Sequence, residues 1–542
     1  MPLRWLTCRL SLAAVVLAAA GCSSLPPAPQ QPHEAALAPA ADAPLARLAG
    51  AALAELPPGE SGFQLLFTGE AAFNARIALV RRATGSIDLQ VYQFAADATG
   101  LGLLRELHDA AARGVRVRLL IDDLHAGGQE AMLAGLAAHP NAQVRLFNPL
   151  PARAGTPLQR LAASLHDFGR VNRRMHNKLF VADGSFAVFG GRNVADCYFM
   201  NDPQANFLDL DVLAAGAVVA ELAAVFDRFW NSALAYPVDA LPAAPAAVAG
   251  VGPSEALPAP VPPPDDAASR AAAFDTAVRS GTVRLGDRSH DWFGRPGILR
   301  QFAAGRIVLD GGSAQVWADA PEKVRGGAAA GPTVAARTLA LLADAQHTAL
   351  ILSPYFIPGA DGVQAMRRLV QERGVTVTLL TNSFGATDEP LAYAGYGRYR
   401  LALLRAGVRI QELSPTLARD SGRIAYFGDN TIGRLHTKAM AIDRRWLFVG
   451  SLNLDPRSAF SNTEMGVVID SPKLAQQLAG VYRHAAAGGA FTLRLADDGT
   501  RIEWVATDWQ GHETVHADEP HDDAWLRLKL RLLQPWVPED LL

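Results

Sequence analysis

HNKLFVADGSFAVFGGRN (residues 176–193) and HTKAMAIDRRWLFVGSLN (residues 436–453) are two versions of one pattern. Each contains His-x-Lys-x4-Asp, a second apolar run, a turn of small residues and an Asn. The offset is constant, since 436 minus 176 and 453 minus 193 both give 260. The chain has only five lysines in 542 residues, so two of them in register indicate an internal repeat and not a chance motif match.

The pattern places its polar side chains on one face of a strand. Residues two apart in a strand project from the same side of the sheet, so each motif His lies beside its Lys. The small residues of the turn allow close backbone approach, and the Asn that follows adds an amide. Two such half-sites facing each other across a pseudo-two-fold axis suit a phosphate diester. The residues concerned are His176, Lys178, Gly191, Asn193, His436, Lys438, Ser451 and Asn453.

Two imidazoles on opposite sides of one phosphorus can divide a substitution reaction between them. One is the neutral nucleophile, while the other gives a proton to the departing alcohol and then takes one from the incoming alcohol. This chemistry needs neither a metal nor a cofactor, and imidazole titrates near neutral pH. Each histidine also needs an acceptor for its second ring nitrogen. The candidates are Glu464 and Asp209, with Asp211 as the competitor of Asp209.

Strand and helix patterns alternate in both halves of the chain. SIDLQVYQF from Ser86 and VRVRLLID from Val115 are strand-like and flank an amphipathic helical stretch; TALILSPYF from Thr348 and VTVTLLTN from Val375 repeat the unit. Such alternation predicts the α/β class. We expect two α/β domains, each a mixed sheet with helices on both faces, related by pseudo-two-fold symmetry.

Shifts in composition predict the boundaries of these domains. We expect five segments along the chain: a lipoprotein-type signal peptide (1–21), a Pro/Ala-rich tether (22–60), the first domain (61–240), a flexible Pro/Ala-rich insert and connector (241–330), and the second domain with a C-terminal extension (331–542).

The N-terminal segment has the form of an export signal. Arg4 and Arg9 precede an apolar run that ends at Gly21, Cys22 and Ser23. This ending resembles a bacterial lipoprotein box, so we expect acyl chains on Cys22 to anchor the protein to a membrane. The alternative is an ordinary signal peptide with an incidental Cys. The expected location is the bacterial cell envelope, facing the periplasm, and Ser23 favours the outer membrane by analogy with lipoproteins.

Net charge and three local clusters bear on the choice of ligand. A formal charge of −3 gives no general attraction to polyanions, so no nucleic-acid partner is expected. Each cluster has two interpretations. An arginine group could hold lipid headgroups or face solvent, an acidic pair is at most a weak metal signal, and a tyrosine stripe favours packing over headgroup binding. They are Arg170, Arg173 and Arg174; Asp122 and Asp123; and Tyr393, Tyr396 and Tyr399.

The paired motifs resemble those of the phospholipase D superfamily. The resemblance implies a phosphohistidine intermediate on His176 and a general acid at His436. The lysines and asparagines of the motifs would then be phosphate ligands, and Asp183 and Asp443 would be structural props. Gly191 stands where the second copy has Ser451, so the resemblance leaves the order of the two histidines open.

Longer strings resemble the cardiolipin synthase C branch of bacterial enzymes. They include RVNRRMHNKLFVADG, GGRNVADCYF and TNSFGATDEPLAYAGYGRYR. That resemblance implies transfer of a phosphatidyl group to phosphatidylglycerol, from phosphatidylethanolamine or a second phosphatidylglycerol. The alternatives are a hydrolytic phospholipase D, a nuclease-type phosphodiesterase, and a non-catalytic lipoprotein that binds anionic lipid. The oligomeric state stays open.

Overall fold

The computed structural model describes residues 25–153, 157–241, 267–279, 281, 286, 289–326, 331–416, 431–508, 510–520, 525, 530 and 539. The expected signal peptide and Cys22 lie outside the described residues. So does the Pro/Ala-rich run 242–266 at the start of the expected insert.

The first half is built on one mixed sheet. Its strands, with one short strand outside the sheet, are β1 (Ser61–Leu66), β2 (Ser86–Val91), β3 (Arg116–Asp122), β4 (Ala142–Phe147), β5 (Leu179–Ala182), β6 (Phe186–Gly190), β7 (Ala205–Leu208), β8 (Asp211–Ala215) and β9 (Ala235–Pro237). The sheet order is β1-β8-β6-β5-β2-β3-β4-β9. Neighbours β2, β3 and β4 are parallel because helices connect them, as expected of βαβ units.

The second half repeats this sheet. Its strands are β10 (Asp310–Ala318), β11 (Thr348–Leu352), β12 (Thr376–Asn382), β13 (Arg409–Leu413), β14 (Ile432–Leu435), β15 (Ala439–Ile442), β16 (Trp446–Gly450), β17 (Met465–Asp470), β18 (Ala490–Leu495), β19 (Ile502–Thr507) and β20 (Glu513–His516). The order β10-β17-β16-β15-β11-β12-β13-β18-β19-β20 matches the first sheet, with β19 and β20 as additions.

Helices cover the sheets and connect their strands. Those of the first half are Pro44–Leu53, Gly69–Arg82, Ala98–Ala112, Glu130–Ala137, Pro157–Ala163, Phe168–Val171, Ala217–Trp230, Ala267–Val278 and Ile298–Ala303; those of the second are Val334–Ala343, Gly359–Arg367, Pro390–Gly397, Arg400–Ala406 and Pro472–Ala486. Side-chain caps fix several starts. Asp97, for example, accepts the N–H of Gly100 at 2.9 Å at the start of Ala98–Ala112.

A single strand joins the two sheets. Residues 310–312 of β10 pair with β1, and residues 313–318 pair with β17. β10 lies within the expected connector 241–330, so the last part of that segment belongs to the framework. The expected tether also contacts the first domain: Leu45 and Ala49 pack into its core, and the N–H of Glu34 donates to Asn231 Oδ1 at 3.0 Å.

The two halves share a core. In β5 the side chains alternate: Leu179 and Val181 face the shared core, and Phe180 and Ala182 face the outer core of the first domain. The shared core also includes one helix from each half, Ala217–Trp230 and Pro472–Ala486. The predicted α/β class, with two mixed sheets and helices on both faces, is confirmed. No helix in the described ranges is long and apolar enough to cross a membrane.

Candidate active site

Short strands that cross between the halves position the two motif histidines. β7 and β14 pair in parallel, and the N–H of His436 donates to the Leu208 carbonyl at 2.7 Å. On the opposite side Met175 bridges to Thr463, and the N–H of His176 donates to the Thr463 carbonyl at 2.9 Å. Each histidine is therefore held at its backbone by the other half of the chain.

Each imidazole also meets a carboxylate from the other half. Nδ1 of His176 lies 2.9 Å from Oε2 of Glu464, and Nδ1 of His436 lies 2.6 Å from Oδ2 of Asp209. The histidines are only 7% and 5% exposed. With Nδ1 engaged, Nε2 is the atom left to face a substrate. The alternative prediction, Asp211 as the acceptor for His436, is wrong, because the Asp211 carboxylate binds Arg76 at 2.8 Å instead.

The motif lysines repeat one arrangement in both halves. Nζ of Lys178 donates to the His176 carbonyl at 2.8 Å, and Nζ of Lys438 donates to the His436 carbonyl at 2.6 Å. Each ammonium group also lies over a tyrosine ring, at 5.3 Å from the Tyr92 centroid in the first half. In the second half the distance is 5.9 Å, to Tyr355. These aromatic rings support the ammonium groups, although burial lowers the pKa of Lys178 well below its usual value and that of Lys438 to about 8.

The tyrosine hydroxyls have different partners in the two halves. Oη of Tyr92 lies 3.1 Å from Nε2 of His125, whereas Oη of Tyr355 donates to Oδ2 of Asp388 at 2.8 Å. Burial lowers the pKa of His125 to about 4, so this imidazole is neutral at physiological pH. Of these two tyrosine hydroxyls, the one in the second half therefore contacts a carboxylate and the one in the first half contacts a neutral imidazole.

The two motif asparagines are buried in the same region. Nδ2 of Asn193 donates to Oη of Tyr198 at 2.8 Å, and the ring of Tyr198 stands edge-on to His436. Oδ1 of Asn453 is buried and has no hydrogen-bond partner among the described residues. The second asparagine is therefore the less satisfied of the two.

Position 191 in the first half and position 451 in the second determine how the carboxylates of Asp209 and Glu464 are held. Oγ of Ser451 donates to Oε2 of Glu464 at 2.5 Å. At the equivalent Gly191 a Cβ would lie 2.1 Å from Oδ1 of Asp209, so no side chain fits there. Glycine is therefore required at position 191, where the second half has Ser451, because the Asp209 carboxylate occupies the space that a side chain would need.

The motif aspartates lie at the opposite end of the strand from the histidines. The carboxylate of Asp183 accepts the N–H groups of Thr84, Gly85 and Ser86 at 2.8–3.0 Å. Asp443 accepts those of Gln346, His347 and Thr348 at 2.7–2.9 Å. Both therefore fix the turn that begins the neighbouring central strand, and neither touches a motif His or Lys.

Electrostatics differ between the two histidine–carboxylate pairs. Burial lowers the pKa of His176 well below its usual value, and the charges of Lys178 and Lys438 add to this effect. Burial also raises the pKa of its partner Glu464 to about 7. At Asp209 burial acts in the same direction but is outweighed by His436 and Lys438, so the pKa of Asp209 is lowered.

His436 is therefore the better placed of the two histidines to carry a proton. Its pKa is lowered by burial and by Lys438, while the nearby carboxylates of Asp209 and Asp388 oppose that shift. At His176 burial and the charges of both lysines act together, and no carboxylate effect of comparable size opposes them. The neutral imidazole is therefore favoured more strongly at His176 than at His436.

Two residues of the connector support Glu464 and were missed by the sequence reasoning. Oδ2 of Asp319 accepts the backbone N–H of Glu464 at 3.0 Å. Lys323 is paired with the same oxygen at 2.7 Å and donates to the Ser458 carbonyl at 3.0 Å. Lys323 is one of only five lysines in the chain, and that rarity was the available signal.

Members of the arginine, acidic and tyrosine clusters make structural contacts. Arg174 is fully buried against Asp122 at 2.7 Å, so it neither faces solvent nor is open to a headgroup. Asp123 is paired with Arg153 at 2.6 Å, and no described group of three His, Cys, Asp or Glu side chains could hold a metal. Tyr393 and Tyr396 pack in the outer core of the second domain.

Comparison with known proteins accounts for this repeated geometry. The family model described as "Cardiolipin synthase, PLD-like domain" matches the chain twice, at residues 77–230 and 338–485. The chain belongs to the cardiolipin synthase family of phospholipase D-like proteins. Each match contains one complete motif, so one family domain corresponds to one copy of the internal repeat. The chain is an enzyme of the phospholipase D type.

Individual relatives agree with this family assignment. The chain is 35% identical over 476 residues to cardiolipin synthase C of Escherichia coli, covering 88% of this chain and 95% of that protein. It is 28% identical over 410 residues to cardiolipin synthase A of Pseudomonas fluorescens, covering 74% and 64%. The fold is similar to that of phosphatidylserine synthase of Haemophilus influenzae, with a TM-score of 0.51, 14% identity, and 89% and 98% coverage.

Proposed function

We propose that this enzyme is a phosphatidyltransferase that makes cardiolipin from phosphatidylglycerol and a second phospholipid, through a phosphohistidine intermediate. The second phospholipid is phosphatidylethanolamine or another phosphatidylglycerol. The observation that carries the proposal is the crossed pairing of His176 with Glu464 and of His436 with Asp209. It supplies two oriented imidazoles from opposite halves of one buried site. Similarity to cardiolipin synthase C supports the lipid substrate.

In the first step Nε2 of His176 attacks the phosphorus of the donor lipid. A P–N bond forms, the P–O bond to the headgroup breaks, and His436 gives its proton to the departing oxygen. The ammonium groups of Lys178 and Lys438 stabilise the charge on the non-bridging oxygens. The lowered pKa of His176 supports the nucleophilic role, because a neutral imidazole is required for attack.

In the second step a hydroxyl of the acceptor phosphatidylglycerol replaces the histidine. His436, now neutral, takes the hydroxyl proton, the oxygen attacks phosphorus, and the P–N bond breaks to release His176. One phosphodiester is exchanged for another, so no nucleotide is consumed. Burial of both histidines limits access of water, which would otherwise yield phosphatidic acid.

The product formed from labelled phosphatidylglycerol tests this function. Purified protein is incubated with the lipid, with and without phosphatidylethanolamine, and the products are separated. We expect cardiolipin from wild type and none from His176→Ala. Phosphatidic acid as the sole product would replace the proposal with hydrolysis. Unchanged binding of vesicles with no product at all would indicate a non-catalytic protein.

An activated leaving group distinguishes the roles of the two histidines. A p-nitrophenyl ester of a phosphatidyl group needs no proton on departure, because p-nitrophenolate is stable at neutral pH. We expect His436→Ala to release one equivalent of p-nitrophenolate in a burst and His176→Ala to release none. The reverse result would exchange the nucleophile and the acid.

The expected anchor at Cys22 remains a proposal of the same kind. We propose that acyl chains on Cys22 hold the enzyme on a bacterial envelope membrane, facing the periplasm, where its substrates lie. Cell fractionation of wild type and Cys22→Ala tests this. Recovery of both proteins in the same membrane fraction, with no incorporation of labelled fatty acid, would overturn it.

A further inference from the structure

A large apolar groove lies on the outer side of the second domain. Its volume is about 1030 Å³, slightly above the roughly 300–1,000 Å³ range typical of small-molecule pockets. The walls come from helix Val334–Ala343, from helix Gly359–Arg367 with the turn after it, and from residues 453–460. Leu342, Phe356, Met366 and Leu369 form a hydrocarbon floor.

The rim of the groove exposes large apolar side chains to solvent. Phe460 is 72% exposed and Leu339 is 52% exposed, and both line the groove. Most large apolar residues elsewhere in the described chain are buried. Exposed apolar side chains beside an apolar groove are the usual mark of a ligand or membrane contact.

The groove includes one residue of the candidate phosphate site. Asn453, the motif asparagine of the second half, lines the groove, and so does Leu454 after it. A molecule whose phosphate lies beside Lys438 and Asn453 could therefore extend directly into the groove.

We propose that this groove binds an acyl chain of the phospholipid whose phosphate lies at Lys438 and Asn453. The proposal rests on the proposed function only in taking a phospholipid as the substrate. An acyl chain is joined to the phosphate through glycerol, which matches a groove that begins at a phosphate ligand. The hydrocarbon floor provides the apolar contacts that a chain loses on leaving the bilayer.

The charges around the groove fit an uncharged chain within it. Arg373 lies at the edge, where its Nη2 donates to the Ala345 carbonyl at 2.7 Å. The wall residue Asp455 is fully buried, and burial raises its pKa to about 7. Of the remaining charged side chains of the lining, Asp361, Arg368 and Glu372 are exposed, and Glu539 is half-buried. Among the described residues that line the groove, no buried side chain carries an ammonium or guanidinium group, so the floor is hydrocarbon.

Photocrosslinking tests the occupant without requiring turnover. The full-length protein is mixed with vesicles containing a phosphatidylglycerol that bears a diazirine at the end of one acyl chain, and adducts are located by peptide mass spectrometry. We expect adducts on residues 334–343, 359–369 or 453–460. They should be lost in the double variant Ala340→Trp, Ala343→Trp, which fills the groove from exposed positions of one helix. Adducts found only elsewhere would overturn the proposal.

Chain-length selectivity provides a second measurement. In the double variant we expect KM to rise about tenfold for dioleoyl phosphatidylglycerol in mixed micelles, corresponding to lost contact with roughly two methylenes. The kcat/KM for the dihexanoyl lipid should stay within about twofold of wild type, since short chains barely enter the groove. Gln364→Trp, on an exposed helix position outside the groove, is the matched control.

The two measurements separate failure of this inference from failure of the proposed function. Normal cardiolipin synthesis without groove adducts, or equal effects of the double variant on both chain lengths, would eliminate the acyl site alone. Groove adducts in a protein that turns over no phospholipid would eliminate the proposed reaction and leave the lipid site in place.

Discussion

Nδ1 of His436 lies 2.6 Å from Oδ2 of Asp209, and the two residues belong to different halves of the chain. The equivalent contact in the pseudo-two-fold arrangement joins Nδ1 of His176 to Oε2 of Glu464 at 2.9 Å. Neither half can therefore orient its own histidine. Because the pairs cross, the catalytic competence of each motif depends on the correct packing of the opposite sheet.

Replacing Asp209 by Asn should reduce turnover strongly while preserving the fold. The amide can still contact Nδ1, but it no longer stabilises the imidazolium of His436, so we expect kcat to fall by about 10²–10⁴-fold. Cardiolipin formation measures the effect. Glu221→Gln, an exposed position on helix Ala217–Trp230, is the control and should retain wild-type kcat. Equal activity of the two variants would contradict the role of Asp209.

A methyl group at Gly191 should act on the same pair. The added Cβ would lie 2.1 Å from Oδ1 of Asp209, so the carboxylate must move away from His436. We expect Gly191→Ala to lower kcat by about tenfold or more, since displacements near 1 Å can cost about 10²-fold. Gly480→Ala, with no atom within 4 Å of its added Cβ, is the matched control.

The asymmetry at the tyrosine hydroxyls should be visible in pH–rate profiles. Asp388 raises the pKa of His436, so its removal in Asp388→Asn lowers that pKa. The general acid then loses its proton at lower pH, and the alkaline limb of the kcat/KM profile should move to lower pH. His125→Gln, at the equivalent position of the first half, removes a group that is already neutral and should leave the limb in place.

Glu464 should make stability depend on pH in the direction opposite to a usual ion-paired carboxylate. Burial raises its folded-state pKa to about 7, above the unfolded value, so the folded state binds more protons between these values. Stability therefore falls as pH rises from about 4.5 to about 7. Glu464→Gln removes this dependence. We expect the melting temperature of the variant to improve relative to wild type between pH 5 and pH 8; a constant difference would contradict the shift.

Lys323 should be far more important to stability than its exposed counterpart. Its ammonium is buried against Asp319, so Lys323→Met leaves a buried unpaired carboxylate and should cost about 3–5 kcal/mol in unfolding free energy. Lys473 is 71% exposed while it pairs with Asp310, and Lys473→Met should cost about 0–1 kcal/mol. Urea denaturation compares the two. The double variant Lys323→Met, Asp319→Asn should recover part of the loss.

The sequence was sufficient for those features that repeat or alternate. The 260-residue offset predicted two equivalent halves, and strand alternation predicted mixed sheets with helices on both faces. The motif residues and the two carboxylates were predicted from the sequence, but the supporting residues Asp319 and Lys323 were not. The crossing of each histidine to the opposite carboxylate could not be predicted, because spacing along a chain does not report on packing between halves.

Other features depend on tertiary contacts that leave no local signal. The run Asp310–Ala318 (DGGSAQVWA) has a mixed composition and lies in a segment expected to be a connector, and only its pairing with both sheets gives it a role. Arg174 belongs to a basic run of sequence of the kind that usually faces solvent. Its ion pair with Asp122 nevertheless permits its complete burial. In each case the partner is distant in sequence.

The shared strand β10 has a consequence for assembly of the molecule. A chain divided within residues 242–266 would carry β10 on its second fragment, so the first fragment would expose the edge of β1 that β10 normally covers. The first fragment alone should then aggregate through that edge, whereas co-production with the second fragment should rescue it. The two pieces would behave as complementing subunits, joined by one strand that belongs to the second in sequence and to both in structure.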